Sequence, residues 1–142
     1  MGKRQNEFNL FRIVDANYNR AKEGIRVCED IFRFLYNKGD ISSEYKKIRH
    51  RITELISFFP LDKIMISRDS ISDVGRGMNN LETNRDSVKD IFFANSQRVK
   101  ESIRVLEEFA KLYDLKVAEG FKKLRYDIYD LEQKGWVLLH NR

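Results

Sequence analysis

Ala16-Asn17-Tyr18-Asn19-Arg20-Ala21-Lys22-Glu23-Gly24-Ile25-Arg26-Val27-Cys28-Glu29-Asp30 has a second copy in the same chain. It returns at a constant offset as Ala94-Asn95-Ser96-Gln97-Arg98-Val99-Lys100-Glu101-Ser102-Ile103-Arg104-Val105-Leu106-Glu107-Glu108. Further on, Tyr45-Lys46-Lys47-Ile48-Arg49-His50 is answered by Phe121-Lys122-Lys123-Leu124-Arg125-Tyr126, followed by Ile52 and Leu55 in one copy and Ile128 and Leu131 in the other. A self-match of so long a period signals a duplicated structural unit, and two copies are too few for a solenoid. The expectation is one domain over 1–142 with two related halves, about 9–59 and 84–134, and a crossover over about 60–83.

Periodicity assigns helices to both halves. The first is expected to start near Asn9 and stop at Gly39. The second begins around Asp40 to Ser43 and is closed by Pro60, the only proline. Leu61 to Asn84 interrupts the helical pattern. Within it, Gly75 and Gly77 mark a loop with unusual backbone angles or close approach of another group. A third helix starts near Asn84 or Asp86 and reaches about Leu112; a fourth starts after Asp114 and runs at least to Lys134, with Gly135 before a short tail. Two hairpins and one crossover make an all-α, internally duplicated four-helix bundle with a pseudo-twofold axis. A structureless connection of that length is uncommon and often functional.

The chain is long enough to bury a core without metal or disulfide, and its single cysteine, Cys28, excludes an internal disulfide. No secretory leader or apolar run of membrane-spanning length is visible, so the expected location is the cytoplasm. A net charge of +5 and a pI near 9.3 favour anionic partners. The basic residues are interleaved with 22 acidic ones, which argues against a nucleic-acid stripe.

Helical angles place Ile13, Val27, Cys28, Ile31 and Leu35 on one face of the first helix, with Lys22, Arg26, Glu29 and Arg33 opposite and solvated. Asn17 and Arg20 fall inside the apolar arc, with Glu23 at its edge; Asn95, Arg98 and Glu101 repeat the arrangement. Arg49 and Arg125 border the seams of the other two helices. An inward arginine needs a counter-charge. Either Glu23 and Glu101 supply it in an internal network, or an anionic ligand shares the guanidinium forks, which suit phosphate oxygens. In the crossover, Asp69 and Asp73 beside the glycine turn could hold Mg²⁺ in part, and Asp73 could equally cap the turn. His50 and His140 are isolated, and no P-loop, kinase-type glycine loop or His/Cys metal spacing is present.

These residues resemble a known family. Asp15-Ala16-Asn17 with Asn19-Arg20, Glu23-Gly24, Arg26-Val27 and Glu29-Asp30 is similar to its first signature, and Arg68-Asp69 with Asp73-Val74-Gly75 to its central one. Ala94-Asn95, Arg98, Glu101, Arg104-Val105 and Leu106 to Phe109 resemble the third; Leu124-Arg125-Tyr126, Tyr129 and Leu131-Glu132 resemble the fourth. The family is the monofunctional hydroxymethylpyrimidine phosphate kinases of bacterial thiamine biosynthesis, found alone or fused in front of thiamine-phosphate synthase. The likeness spans roughly Phe11 to Leu131, and this chain resembles a stand-alone member. It departs at Arg76-Gly77, where a small hydroxyl residue is expected after Gly75.

The resemblance implies transfer of the γ-phosphoryl group of ATP, with Mg²⁺, onto 4-amino-5-hydroxymethyl-2-methylpyrimidine phosphate. Arg68, Asp69 and Asp73 are the expected catalytic residues, with Asp73 and Asp69 on the metal. Asn17, Arg20, Glu23, Arg49, Asn95, Arg98, Glu101 and Arg125 are expected to bind phosphate or substrate, beside Gly75 of the loop. A role as a non-catalytic partner domain of thiamine-phosphate synthase, an RNA-binding role and a homodimer stay open. If the helical angles are right, Arg20→Ala and Arg98→Ala weaken phosphate-ligand binding far more than Arg33→Ala. Each loses charge-assisted hydrogen bonds of about 1.5–3 kcal/mol. Calorimetric titration with Mg·ATP checks this, and equal losses in all three variants would defeat the angular argument.

Overall fold

The computed structural model describes residues 3–77 and 84–141. Its elements are helices throughout: α1 (Lys3–Asp30), continued by a π-helical turn (Ile31–Leu35), then α2 (Gly39–Ile56), α3 (Leu61–Ser67), α4 (Val88–Ala110) and α5 (Leu115–His140). No helix among the described residues is long and apolar enough to cross a membrane.

The four long helices form an antiparallel ring. Ion pairs tie α1 to α2 (Glu29 to Arg49) and α4 to α5 (Glu107 to Arg125). Arg51 and Asp127, 2.6 Å apart, and Lys134 and Glu44, 3.5 Å apart, tie α2 to α5. Apolar packing closes the ring between α1 and α4, where Phe32 meets the ring of Phe92 edge-on. Phe32 also stacks on Tyr45 of α2, so three helices share one aromatic cluster. Ile25, Ile52, Ile103, Leu106, Phe121 and Leu124 fill the rest of the core. Cys28 is part of it: burial pushes its thiol up to about 12, so it behaves as a small apolar residue.

Several boundaries differ from the sequence expectation, each for a local reason. α1 begins six residues before Asn9. It does not stop at Gly39, which is the first residue of α2. Asn37 ends it instead, with a φ of 52°, and the Lys38 N–H bonds back to the Phe32 carbonyl at 2.8 Å. This is the left-handed helix stop usually given to glycine, here taken by asparagine. The π turn before it explains Leu35. An extra residue in the turn rotates the register, so Phe34 and Leu35 swing to the surface, Leu35 being 57% exposed. Pro60 closes the α2 connection but also opens α3, so the crossover is partly helical. The helix expected from Asn84 or Asp86 is α4 and starts slightly later, capped by Ser87, whose hydroxyl accepts the Asp90 N–H; α5 starts after Asp114, as expected. Gly135 does not end the fourth helix. A Cβ there would come within 2.8 Å of the Phe92 ring and 3.0 Å of Phe32, so the glycine admits the aromatic cluster and the helix runs through it to His140.

Gly24 performs the same service between α1 and α4. An added Cβ would stand 2.6 Å from Val99 Cγ2 and 3.0 Å from the Asn95 carbonyl oxygen. Gly→Ala in a helix interior normally stabilises by about 1 kcal/mol, whereas overpacking costs about 1–3 kcal/mol. The Asn95 contact is backbone and cannot rotate away, so overpacking wins. Gly24→Ala is expected to lower the melting temperature; a rise would mean the α1–α4 seam has room.

Candidate functional site

The site begins with two faces of matched periodicity. On α1, Asn9, Arg12, Ile13, Ala16, Asn17 and Arg20 follow one stripe; on α4, Ala94, Asn95, Arg98, Glu101, Ser102 and Val105 follow another. Asn17 and Asn95 behave alike. Each donates from Nδ2 to the carbonyl four residues earlier, Ile13 at 2.9 Å and Ile91 at 2.8 Å, which holds the carboxamide oriented along its helix. The crossover supplies the third wall.

Two lobes result. The larger, about 760 Å³, is lined by Asn17, Arg20, the α4 stripe, and Asp73, Gly75, Arg76 and Arg85. The smaller, about 460 Å³, is lined by the α1 stripe with Arg68, Asp69, Ser70 and Asp73. Asn17, Arg20 and Asp73 belong to both.

Charge is the lobes' common property. Arg12, Arg20, Arg68, Arg76, Arg85 and Arg98 line them, with no lysine, against Asp69, Asp73 and Glu101. Arg68 is held by Asp15, a buried carboxylate on α1. Its Nε donates to Oδ2 at 2.8 Å and Nη2 to Oδ1 at 2.7 Å, and these bonds raise the already high guanidinium pKa further. With Arg68 matched to Asp15, Arg12, Arg20, Arg76 and Arg85 still outnumber the carboxylates among the described lining residues. Arg20 is exposed to the cavity and makes no ion pair among the described residues. Such a set of planar forks suits phosphate oxygens.

Asp73 forms the turn that the loop needs. Its Oδ1 accepts the Gly75 N–H at 3.0 Å, and its carbonyl accepts the Arg76 N–H at 3.2 Å. Asp69 does the same for Ser72 at 3.0 Å, and that backbone bond lowers its carboxyl pKa. Each keeps a second oxygen. Neither Gly75 nor Gly77 has a positive φ, and a Cβ on Gly75 would meet nothing nearer than Asp73 Oδ1 at 3.6 Å. The unusual backbone angles expected of this Gly-x-Gly pair are therefore not there. The remainder of the crossover at 78–83 lies outside the described residues.

Asn17, Arg20, Asn95, Arg98, Glu101, Arg68, Asp69, Asp73 and Gly75 thus come together. Glu23, Arg49 and Arg125 do not line either lobe. Glu23 is exposed and does not neutralise Arg20, and Arg20 itself is exposed rather than sunk in an apolar arc, because the cavity opens where a packed helix was expected. Arg49 binds Glu29, Nε to Oε1 at 2.9 Å and Nη2 to Oε2 at 3.3 Å. Glu29, expected on the solvated face, is only 2% exposed. Burial alone would raise its pKa, but the bonds and charge of Arg49, with help from Arg26, outweigh this and leave it lowered. Arg125 binds Glu107, Nε to Oε1 at 2.8 Å, and donates to the Tyr129 hydroxyl at 2.9 Å. These matched pairs are the internal network, and the carboxylates in it are Glu29 and Glu107 rather than Glu23 and Glu101.

Sequence reasoning missed Arg12, Arg85 and the role of Asp15. Arg12 lies on the stripe of Ala16 and Arg20, already inside the helix expected from Asn9, and its spacing to those residues was the signal. Nothing in the sequence marks Arg85.

Residues 12–134 match the ThiD2 family. Among curated relatives, thiamine-phosphate synthase of Nostoc sp. is 37% identical over 124 residues, which are 87% of this chain and 34% of that protein. Thiamine-phosphate synthases of Nostoc punctiforme (36% over 131 residues, 92% and 36% of the two chains) and Gloeobacter violaceus (36% over 124 residues, 87% and 35%) are similar to the same degree. The chain therefore spans about a third of the length of these relatives. No solved structure matches it significantly.

Breaking a buried pair by removing one partner costs about 3–5 kcal/mol. Arg125→Leu is expected to destabilise the fold toward the lower end of that scale in urea unfolding, since it leaves buried Glu107 with only Arg104 at 3.7 Å, while the folded fraction binds phosphate ligands like the parent. Lost binding in well-folded protein would put Arg125 back in the site.

Proposed function

The chain belongs to the ThiD2 family, and from that premise we propose that it is an ATP-dependent kinase of thiamine biosynthesis, acting on 4-amino-5-hydroxymethyl-2-methylpyrimidine phosphate. The observation that carries this reading is the excess of arginines around two joined lobes. A phosphoryl transfer between two anionic substrates needs positioning and charge neutralisation more than covalent help.

In the reaction, an oxygen of the acceptor phosphate forms a bond to the γ-phosphorus of ATP. The bond to the β,γ-bridging oxygen breaks, and its electron pair leaves with ADP. A phosphate monoester is largely dianionic at neutral pH, so no proton must be removed and no strong base is required. Arg20 and Arg98 stabilise the charge that spreads over the transferring oxygens, and Arg68, its fork preset by Asp15, orients the acceptor. Asn17 and Asn95 present oriented amides for polar groups of the substrates.

The donor set fits Mg²⁺, which takes one or two carboxylates and completes its shell with water and phosphate oxygens. Asp73 and Asp69 would hold the ion through the oxygens not engaged in their turns, and it would supply charge neutralisation at the β- and γ-phosphates. Their side-chain bonds to backbone N–H groups also give both aspartates a structural task.

A second reading has one observation behind it. The relatives are about three times longer than the matched segment and are named thiamine-phosphate synthase. That favours a domain that binds an intermediate for a synthase without turning it over. ATP-dependent formation of the pyrimidine diphosphate by the purified chain, followed by mass spectrometry, separates the two. Within the kinase reading, Asp73→Asn keeps an oxygen for the turn but removes the charge. It is expected to lose most turnover and alter magnesium dependence with little change in melting temperature. Near-normal turnover with unchanged magnesium dependence would leave Asp73 as a turn residue alone.

A further inference from the structure

The two lobes differ in size and in the way their arginines are held, and the difference suits two unlike phosphates. The larger lobe, about 760 Å³, carries Arg20, Arg76, Arg85 and Arg98. Arg76 comes from the crossover and Arg85 from the segment leading into α4, and each donates one Nη1 bond to a backbone carbonyl, of Ser70 at 3.2 Å and of Asn84 at 2.8 Å. Their remaining donors can spread along an extended anion. The smaller lobe, about 460 Å³, carries Arg12, Arg20 and Arg68. Arg68 is fixed by its two bonds to Asp15, so it offers a preset direction to a compact anion.

We infer that the larger lobe takes the nucleoside triphosphate and the smaller one the aminopyrimidine monophosphate, with the phosphoryl group passing at the shared wall of Asn17, Arg20 and Asp73. This rests on the kinase reading and assigns new roles to two residues. Arg85 is a nucleotide-binding residue. Arg12, eight positions before Arg20 and about 12 Å away along the helix axis, binds the acceptor at the outer end of its lobe. A triphosphate has more oxygens and charge than a monoester, and the larger lobe provides the greater number of arginines. The reverse placement would put the longer anion in the lobe with less room and a guanidinium already committed to Asp15.

Arg12→Ala and Arg85→Ala in the full chain test the assignment by calorimetric titration with two probes. These are a non-hydrolysable ATP analogue with Mg²⁺ and the hydroxymethylpyrimidine phosphate. Loss of a charge-assisted hydrogen bond corresponds to a weakening of about ten- to hundredfold. Arg12→Ala is expected to show that loss for the pyrimidine phosphate and to bind the nucleotide within about twofold of the parent; Arg85→Ala is expected to show the opposite. Circular dichroism confirms that both variants are folded, as expected of side chains that are not buried in the core. The opposite pattern, or equal losses for both ligands in both variants, would overturn the lobe assignment and leave the kinase reading intact. A parent protein that binds neither probe would remove both.

Discussion

A guanidinium taken out of water demands a counter-charge, and this chain separates the arginines under that demand from those left at an open face. Inside the bundle it uses carboxylates: Glu29 for Arg49 and Glu107 for Arg125, at matched positions of the sequence repeat. These pairs fix how each hairpin closes. At the open face of α1 and α4, arginines gather from both helices and from the crossover, and among the described residues they outnumber the carboxylates that line the same lobes. The first arrangement holds the fold. The second leaves charge for something else to neutralise, and a phosphate-bearing ligand is the natural candidate.

The scaffold makes that imbalance tolerable. The core is built from aromatic and branched aliphatic side chains, with Phe32, Tyr45 and Phe92 joining three helices. Glycines at 24 and 135 allow close approach where it is tightest. The repulsion among the cavity arginines is thus set against a well-packed bundle. Asp15 contributes at the boundary, since it is buried on α1 yet reaches across to orient Arg68 from the crossover. Losing it would remove both bonds that orient Arg68 and loosen the loop that carries Asp69 and Asp73.

Much of this was legible in the sequence because repetition and helical period are strong signals. The four long helices and their antiparallel pairing followed from them, and the long crossover they imply does line the cavity. Most of the cavity residues followed as well, since Asn17, Arg20, Asn95 and Arg98 stand out as polar residues breaking an apolar stripe. The misreadings came from geometry that period alone does not carry. A π turn rotated Leu35 outward, and an asparagine in the left-handed region ended α1 where a glycine was expected to do so. Glu29 sits on what an isolated helix would call its solvated side, and only the approach of α2 turns that side into an interface. Arg85 could not be found at all, because it lies in a non-helical segment before α4, where no period assigns it a face.

The central claim is that the arginine excess is a ligand site with room for two phosphates. Its most direct measurement is the melting temperature of the purified chain titrated with Mg·ATP and with the pyrimidine phosphate, separately and together. A ligand that binds only the folded state stabilises it by about 2.7 kcal/mol at a hundred times its dissociation constant. The account predicts a concentration-dependent rise with each ligand and a larger one with both. No rise with either ligand, or a rise with each that competes away when both are present, would contradict it.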